Sequence, residues 1–342
     1  MKIALDATYS VGRDLSGVGV YSREILYGLA RAHPPDRFTF CYRPQRLLRC
    51  WGERLPANAG RYLLSETRIP RAAAIFHGLN QRLPHAPMRR AVTTFHDLFV
   101  LTGEYSTPEF RQRFAAQARD AAARSDLIIA VSAFTARQVV DLLGVDAARV
   151  RVVHHGTRPP ACAPAAREKI VLHVGAIQRR KNIARLVEAF ESADRDWQLV
   201  LVGSAGYGAP EIMARIAASP ARERIRVRGY VPSAELSVWY RRASIFAFPS
   251  LDEGFGMPVL DAMAAGTPVI ASNRSAVSEV AGDAAWMVNP EDTAALAAAL
   301  VELTRDAERW ADLSARGLVR AAGFTWEDAV AKTWAVYQEL TN

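Results

Sequence analysis

The segment FPSLDEGFGMPVLDAMAAGTPVIAS, residues 248–272, holds two carboxylates, Glu253 and Asp261, eight positions apart around a Gly-Phe-Gly-Met-Pro run. The apolar residues 244–249 read as a strand, and Pro258 suits the first position of a helix, so the order is strand, loop, helix. Gly254 and Gly256 let a ligand come close to the unpaired N–H groups of that helix start, with Phe255 and Met257 in the same run. Glu253 adds an acceptor beside those donors. Donors and an acceptor together suit a polyhydroxylated ligand such as a sugar. Asp261, about one turn into the helix, is placed to accept from a second pair of hydroxyls, as on a ribose. The plainer alternative is a pair of helix-start acids favoured by the macrodipole.

A second stretch supplies the opposite charge. IQRRKNIARLVEAF puts Arg179, Arg180 and Lys181 at a predicted helix start, where the partial positive charge disfavours cations. Three cations there destabilise the chain unless an anion sits among them, and a diphosphate is such an anion. The competing reading has at least one arginine pointing into solvent.

The elements that must position these groups alternate. Apolar runs at 2–7, 38–42, 75–77, 91–97 and 126–132 are separated by helical segments, notably 20–32 and 108–124. A segment rich in Pro and Ala follows, with a hinge expected near 157–168. The pattern then restarts with runs at 169–175, 198–204, 225–230, 244–250 and 267–272. Strands alternating with helices imply parallel sheets with right-handed crossovers, and the restart implies two of them. The expected fold is α/β with two Rossmann-like domains. In such sheets ligands bind where strands turn into helices. The polar residues fall in those turns: SVGRDLSGVGVYS with Gly17 and Gly19 just before a helix, His96-Asp97, and AIQRRKN. Functional turns on both domains imply a cleft between them.

Composition bounds the rest. At 342 residues with 50% hydrophobic content, two domains are expected. No apolar run approaches the roughly 20 residues of a membrane span, and MKIALDATYS has no signal-peptide core, so a cytoplasmic protein is expected. Cys41, Cys50 and Cys162 have no metal-like spacing and read as inert thiols. Residues 1–165 carry 23 Lys+Arg against 13 Asp+Glu, a net of +10, whereas the remainder carries 20 against 22. The excess is densest between Arg31 and Arg71, where RPQRLLRCWGER interleaves Arg43, Arg46, Arg49 and Arg54 with Leu47, Leu48 and Trp51. Nucleic acid, a polyphosphate or an anionic membrane surface each answers to that, as does a plain solvated face.

The run EGFGMPVLDAMAAGTPVIAS resembles the E-x7-E motif of retaining glycosyltransferases of family 4, which have the GT-B fold. The resemblance continues through SGVGVYSREIL, TTFHD, HVGAIQRRKN and NRSAVSEVAGDAA, and FTWEDAVAKTWAVYQEL is similar to the family's C-terminal helix that returns to the N-terminal domain. Two departures stand out: the second acid is Asp261 rather than Glu, and Ala176 stands where many members carry a phosphate-binding arginine, leaving Arg179 or Arg180 to substitute.

The resemblance implies an N-terminal acceptor-binding domain (1–160), a C-terminal nucleotide-sugar-binding domain (161–323) and a returning helix (324–342). It implies transfer of a hexose, with GDP-mannose favoured, from a nucleotide-diphosphate sugar to a glycan or lipid-linked acceptor in bacterial surface polysaccharide synthesis. Glu253 would bind the 3- or 4-hydroxyl of the donor hexose beside the amides of Gly254, Phe255, Gly256 and Met257. Lys181, with Arg180 and the backbone of Gly17, would neutralise the departing diphosphate. His96 would contact the sugar near the reacting carbon, and Asp261 the ribose. The resemblance implies that no D-x-D signature is needed, so no metal and no cofactor are expected. A chain of this kind, working on a lipid-linked acceptor, would meet an anionic membrane through the basic segment.

Other classes fit less well. A nicotinamide oxidoreductase needs G-x-G-x-x-G after its first strand, and SGVGVYS offers only G-x-G. A nucleic-acid binder would use the basic half, but no nucleic-acid motif is present and the arginines are scattered. A sugar-nucleotide epimerase of the same fold remains an alternative, separated by whether the sugar is transferred or isomerised.

Overall fold

The structure, a computed structural model, describes residues 1–12, 14–160 and 166–341, so Cys162 and the centre of the expected hinge lie outside the described residues. The chain divides into two compact units. One comprises Met1–Thr102, Pro108–Gly156 and Thr325–Asn342; the other comprises Gly103–Thr107 and Thr157–Phe324.

The first unit is built on seven strands: β1 (Lys2–Asp6), β2 (Arg37–Tyr42), β3 (Ala59–Leu63), β4 (Ile75–Gly78), β5 (Ala91–Phe95), β6 (Leu127–Ala130) and β7 (Val150–Val152). They pair in parallel in the order β3-β2-β1-β4-β5-β6-β7. Runs such as LIIA and AVTTF are buried throughout, as expected of parallel strands covered on both faces. Five helices connect them: α1 (Gly17–Ala32), α2 (Pro44–Cys50), α3 (Phe99–Thr102), α4 (Pro108–Arg124) and α5 (Ala133–Leu143).

The second unit has six strands: β8 (Glu168–Val174), β9 (Gln198–Val202), β10 (Ile225–Gly229), β11 (Ala243–Phe248), β12 (Val269–Ser272) and β13 (Trp286–Val288). Their order is β10-β9-β8-β11-β12-β13, again all parallel. Its helices are α6 (Ile183–Phe190), α7 (Ala209–Ala217), α8 (Ser233–Arg242), α9 (Met257–Ala264), α10 (Ser275–Ala281), α11 (Thr293–Leu303) and α12 (Ala307–Ala322). Val171, Leu199, Leu201, Ile245 and Ile270 from the sheet pack with Ile183, Leu186, Phe190, Leu296 and Leu300 from α6 and α11.

The last helix, α13 (Trp326–Glu339), belongs to the first unit. Thr325 caps it by accepting from the Asp328 N–H. Trp334 stacks on His33 at the end of α1, centroids 3.6 Å apart, and the Tyr337 hydroxyl lies 2.6 Å from His77 Nδ1. His77 Nε2 in turn meets Thr94 Oγ1 at 2.8 Å, and Thr94 meets the Tyr21 hydroxyl at 2.9 Å, so one buried polar chain ties α13, β4, β5 and α1.

Three strands escape the sequence pattern: β3, β7 and β13, each at a sheet edge. AGRYL is only partly covered, and VRV and WMV are three residues long, so none makes an apolar run. α1 begins at Gly17 rather than after Gly19, because the Ser16 hydroxyl caps it by accepting from the Gly19 N–H at 3.3 Å. The basic segment also divides. Leu48 and Trp51 are 84% and 69% exposed, but Arg43 is only 7% exposed and paired internally, so it does not belong to the surface patch. Among the described residues no helix is long and apolar enough to cross a membrane.

Candidate functional site

In the second unit, strand order reverses between β8 and β11, which go on to β9 on one side and β12 on the other. A crevice at the carboxyl ends of such a pair is where doubly wound sheets bind ligands. The loop after β8 carries Gly175 to Asn182, and the loop after β11 carries Pro249 to Gly256. The two predicted charged groups therefore flank one point.

They also meet. Lys181 Nζ lies 2.5 Å from Glu253 Oε1, and Arg180 Nη1 lies 2.9 Å from Glu253 Oε2. All three residues are 7% exposed. Burial pushes the Glu253 carboxyl up, but the Arg180 guanidinium and the Lys181 ammonium outweigh it and hold the group at about 2. Arg180 also donates to the Asp252 carbonyl, and its own carbonyl accepts from the Leu251 N–H at 2.9 Å. Lys181 Nζ sits 4.8 Å above the Phe248 ring.

The backbone explains how these cations come to lie there. Residues 179–181 form a 3-10 turn, and Asn182, at φ 58°, separates it from α6. The three cations thus precede the helix instead of occupying its first turn, which lifts part of the dipole penalty foreseen from sequence. Asn is one of the few residues that adopts that φ. Its side-chain amide donates to the carbonyls of Pro249 (3.1 Å) and Pro290 (2.6 Å), pinning one loop to the other. Gly203 and Gly175 allow the β8 and β9 ends to converge: a Cβ on Gly203 would sit 1.9 Å from the Gly175 carbonyl oxygen.

On the other side, Gly256 adopts φ 99° and leads directly into α9, with Met257 first and Pro258 second. The Glu253 N–H donates to Ser275 Oγ at 3.1 Å and its carbonyl accepts from the Ala276 N–H at 3.2 Å, so the start of α10 fixes the acid's backbone. Asp261 lies inside α9, partly buried, and accepts from the Thr157 hydroxyl at 2.7 Å. Burial raises its carboxyl to about 6, with the Thr157 bond opposing the rise.

The structure thus brings Glu253, Arg180 and Lys181 into one cluster. Gly254, Phe255 and Gly256 run from it into α9. Arg179 faces outward: its side chain is 52% exposed, 3.8 Å from Glu211 and beside the Tyr207 ring. Gly17 and His96 belong to the first unit. Gly17 is exposed in the first turn of α1, whereas Gly19 is a packing glycine whose Cβ would lie 2.8 Å from the Tyr9 carbonyl. His96, after β5, donates from Nε2 to the Leu79 carbonyl at 3.0 Å and faces His155 Nε2 with Nδ1 at 3.4 Å. Its ring packs edge-on against Tyr21, and burial lowers it to about 4, so it is neutral at pH 7.

Sequence reasoning missed four supporting residues. Asn182, Thr157 and Ser275 act through contacts with distant parts of the chain. His173, at the end of β8, donates from Nδ1 to the Ala247 carbonyl at 2.9 Å and is lowered to about 4 by burial. For Asn182 a signal existed, an Asn directly before a helix. For the others nothing local marks the partner.

Comparison with known proteins follows the same division. A profile described as Glycosyltransferase Family 4 matches residues 15–159, and one described as Glycosyl transferases group 1 matches residues 168–306. The O-antigen chain mannosyltransferase B of Escherichia coli is 33% identical over 286 residues, covering 78% of this chain and 74% of that protein. D-inositol 3-phosphate glycosyltransferase 1 of Catenulispora acidiphila is 31% identical over 241 residues, 63% of this chain and 58% of its own length, so the chain spans less than two thirds of that relative. Among solved structures, sucrose-phosphate synthase from Thermosynechococcus elongatus superposes with a TM-score of 0.83 at 23% identity, covering 100% of this chain and 99% of that one. Anabaena HepE in complex with UDP-glucose gives 0.75 at 17%, with the same coverages. These two show the fold. With the first relative matched over most of both chains, the protein belongs to glycosyltransferase family 4 and is a glycosyltransferase of the GT-B fold.

Proposed function

We propose that the protein transfers a hexose from a nucleotide-diphosphate sugar to a glycan or lipid-linked acceptor with retention of anomeric configuration, in the synthesis of a surface polysaccharide. The observation that carries this reading is the convergence of Arg180, Lys181 and Glu253 at the strand-order reversal of the second unit, beside the glycine-led start of α9. GDP-mannose is the first donor to test, because relatives include an O-antigen chain mannosyltransferase and a serotype-specific mannosyltransferase. The UDP-glucose complex of HepE keeps uridine donors in the panel.

In this reading Lys181 and Arg180 neutralise the diphosphate as the glycosidic bond breaks, assisted by amides at the helix start and by the Gly17 backbone. Arg180 takes the part of the arginine that Ala176 replaces. Both cations pair with Glu253, so a diphosphate would compete for them and free the carboxylate for the 3- or 4-hydroxyl of the sugar. Asp261 accepts from the ribose, and neutral His96 stands near the reacting carbon. Positioning and leaving-group stabilisation then supply the acceleration, each worth several kcal/mol, with no protein nucleophile and no metal required. The exposed Leu48 and Trp51 with Arg46, Arg49 and Arg54 would hold a cytoplasmic enzyme against an anionic membrane face.

The test incubates the protein with GDP-mannose, UDP-glucose and related donors and follows donor consumption by mass spectrometry and the product anomer by NMR. Transfer with an unchanged anomeric configuration is the expected result. An isomerised free sugar nucleotide would favour the epimerase, and an inverted product would overturn the retaining assignment.

A further inference from the structure

The loop that leads into α9 reads Glu253-Gly254-Phe255-Gly256, so Phe255 is the one side chain between two glycines. Glycine leaves a backbone many conformations, and Gly256 uses one at φ 99°, so the path of this loop depends on what fixes Phe255. Phe255 is 4% exposed, and its ring meets that of Phe324 edge to face, with centroids 6.1 Å apart and planes at 71°. Phe324, just beyond α12, is itself fixed from two directions. The Arg320 guanidinium lies 5.1 Å from its ring centroid, and Arg320 donates to the carbonyls of Val280 (2.9 Å) and Glu279 (2.7 Å) in α10. On the other side the Phe324 carbonyl accepts from the Thr157 N–H at 3.0 Å, and the Thr157 hydroxyl is the group that donates to Asp261.

These contacts form a closed circuit within the second unit. α10 holds the Glu253 backbone at its start, through Ser275 and Ala276, and reaches Phe324 at its end through Arg320, while Phe324 returns to the same loop at Phe255. The loop is thus tied on both sides of Gly254, at Glu253 by α10 and at Phe255 by Phe324. Loss of the Phe324 ring releases only the second tie, because the backbone bonds of Glu253 and its pairs with Arg180 and Lys181 do not involve it. Aromatic pairs prefer one relative placement of their rings beyond what burial alone supplies. An aliphatic side chain keeps the place apolar without that preference. We propose that Phe324 is a positioning residue for sugar transfer: it holds Phe255, and through it the Gly254–Met257 amides, in the path that faces the donor. That these amides meet a donor sugar rests on the transferase reading above; the tie from Phe324 to the loop rests on the packing alone.

The experiment compares the full wild-type chain with Phe324→Leu, Phe255→Leu and the double variant. Hydrogen exchange followed by mass spectrometry reads the loop without any donor. In Phe324→Leu, peptides holding residues 254–259, where the Val259 N–H donates to the Gly256 carbonyl, should exchange about tenfold faster, and those of β8 and β11 should keep wild-type rates. Steady-state kinetics with the nucleotide sugar that the wild type consumes supply the second readout. Each single substitution should lower kcat/KM about tenfold, mainly through KM, and the double variant should be no worse than either, because the same contact is lost in all three. Unchanged exchange in the loop, faster exchange spread through β8 and β11, or single effects that multiply to about a hundredfold would each overturn the positioning role. A wild type that consumes no nucleotide sugar, with the loop-confined exchange change still seen in Phe324→Leu, would uphold the tie and defeat the donor assignment instead.

Discussion

Each unit gathers charges at the reversal of its sheet, but the balance differs. In the second unit one carboxylate, Glu253, holds two cations, Arg180 and Lys181, and the three side chains are buried together. In the first, two carboxylates hold two arginines and half of the set is open to solvent. Arg180 and Lys181 converge on a single carboxylate in the second unit, whereas two arginines, Arg43 and Arg82, face two carboxylates, Asp6 and Glu66, in the first. The same edge of the same kind of sheet thus carries a different charge balance in each unit without a change of fold.

The comparison is broken most directly at Glu253. Glu253→Ala is expected to lower kcat/KM by about 10²–10³, because an interaction that strengthens as the bond breaks is lost. Removing the charge alone takes one anionic partner from Arg180 and Lys181, so Glu253→Gln should bind free GDP or UDP more tightly than wild type, read by calorimetry. Weaker binding would show that Glu253 is not the competitor of the diphosphate. Lys181→Ala should weaken the nucleoside diphosphate by about 10–100-fold, the scale of one charge-assisted bond, and leave the nucleoside almost unaffected.

The pH dependence sharpens the contrast between the two acids of the site. Glu253 is depressed to about 2, so the stability it contributes is present above its unfolded value and lost as pH falls through that lower value. Asp261 is raised to about 6, so its charge costs stability above that pH and its service as an acceptor is lost below it. Nucleoside-diphosphate affinity should therefore fall as pH drops through about 6 in wild type and be flat there in Asp261→Asn. Thr157→Val removes the hydroxyl that opposes the rise and should move the midpoint upward, with Thr157→Ser restoring it. The smallest effect concerns the surface: Arg49→Ser with Arg54→Ser should reduce co-sedimentation with anionic vesicles by about 1 kcal/mol per residue at low salt, and less in high salt.

The strands and helices around the site were legible because buried parallel strands such as KIVLHV and QLVLV leave unbroken apolar runs, and because glycines and a proline mark the turn into α9. Glu253, Arg180 and Lys181 were legible as residue types in the right turns. Their pairing was not, since it joins side chains 72 or more residues apart. Arg43 misled because RPQRLLR has the look of a solvated face, and only the parallel pairing of β1, β2 and β3 turns it inward against Asp6 and Glu66. The strands β3, β7 and β13 lacked a pattern because AGRYL is only partly covered and VRV and WMV are too short to show one.

The placement of α13 sets an order of events in time. Its Tyr337 completes the polar chain through His77, Thr94 and Tyr21, and its Trp334 covers His33, although the rest of that unit lies within residues 1–156. During synthesis, which proceeds at about 5–20 residues per second, the segment 157–324 emerges whole before α13 does. The unit begun first is therefore finished last, and a nascent chain lacking α13 holds His77 without its hydroxyl partner and α1 with an uncovered face. Chains stalled before residue 326 should be protease-sensitive in residues 1–156 while 157–324 is already protected, which makes the last helix the step that licenses the first unit for binding.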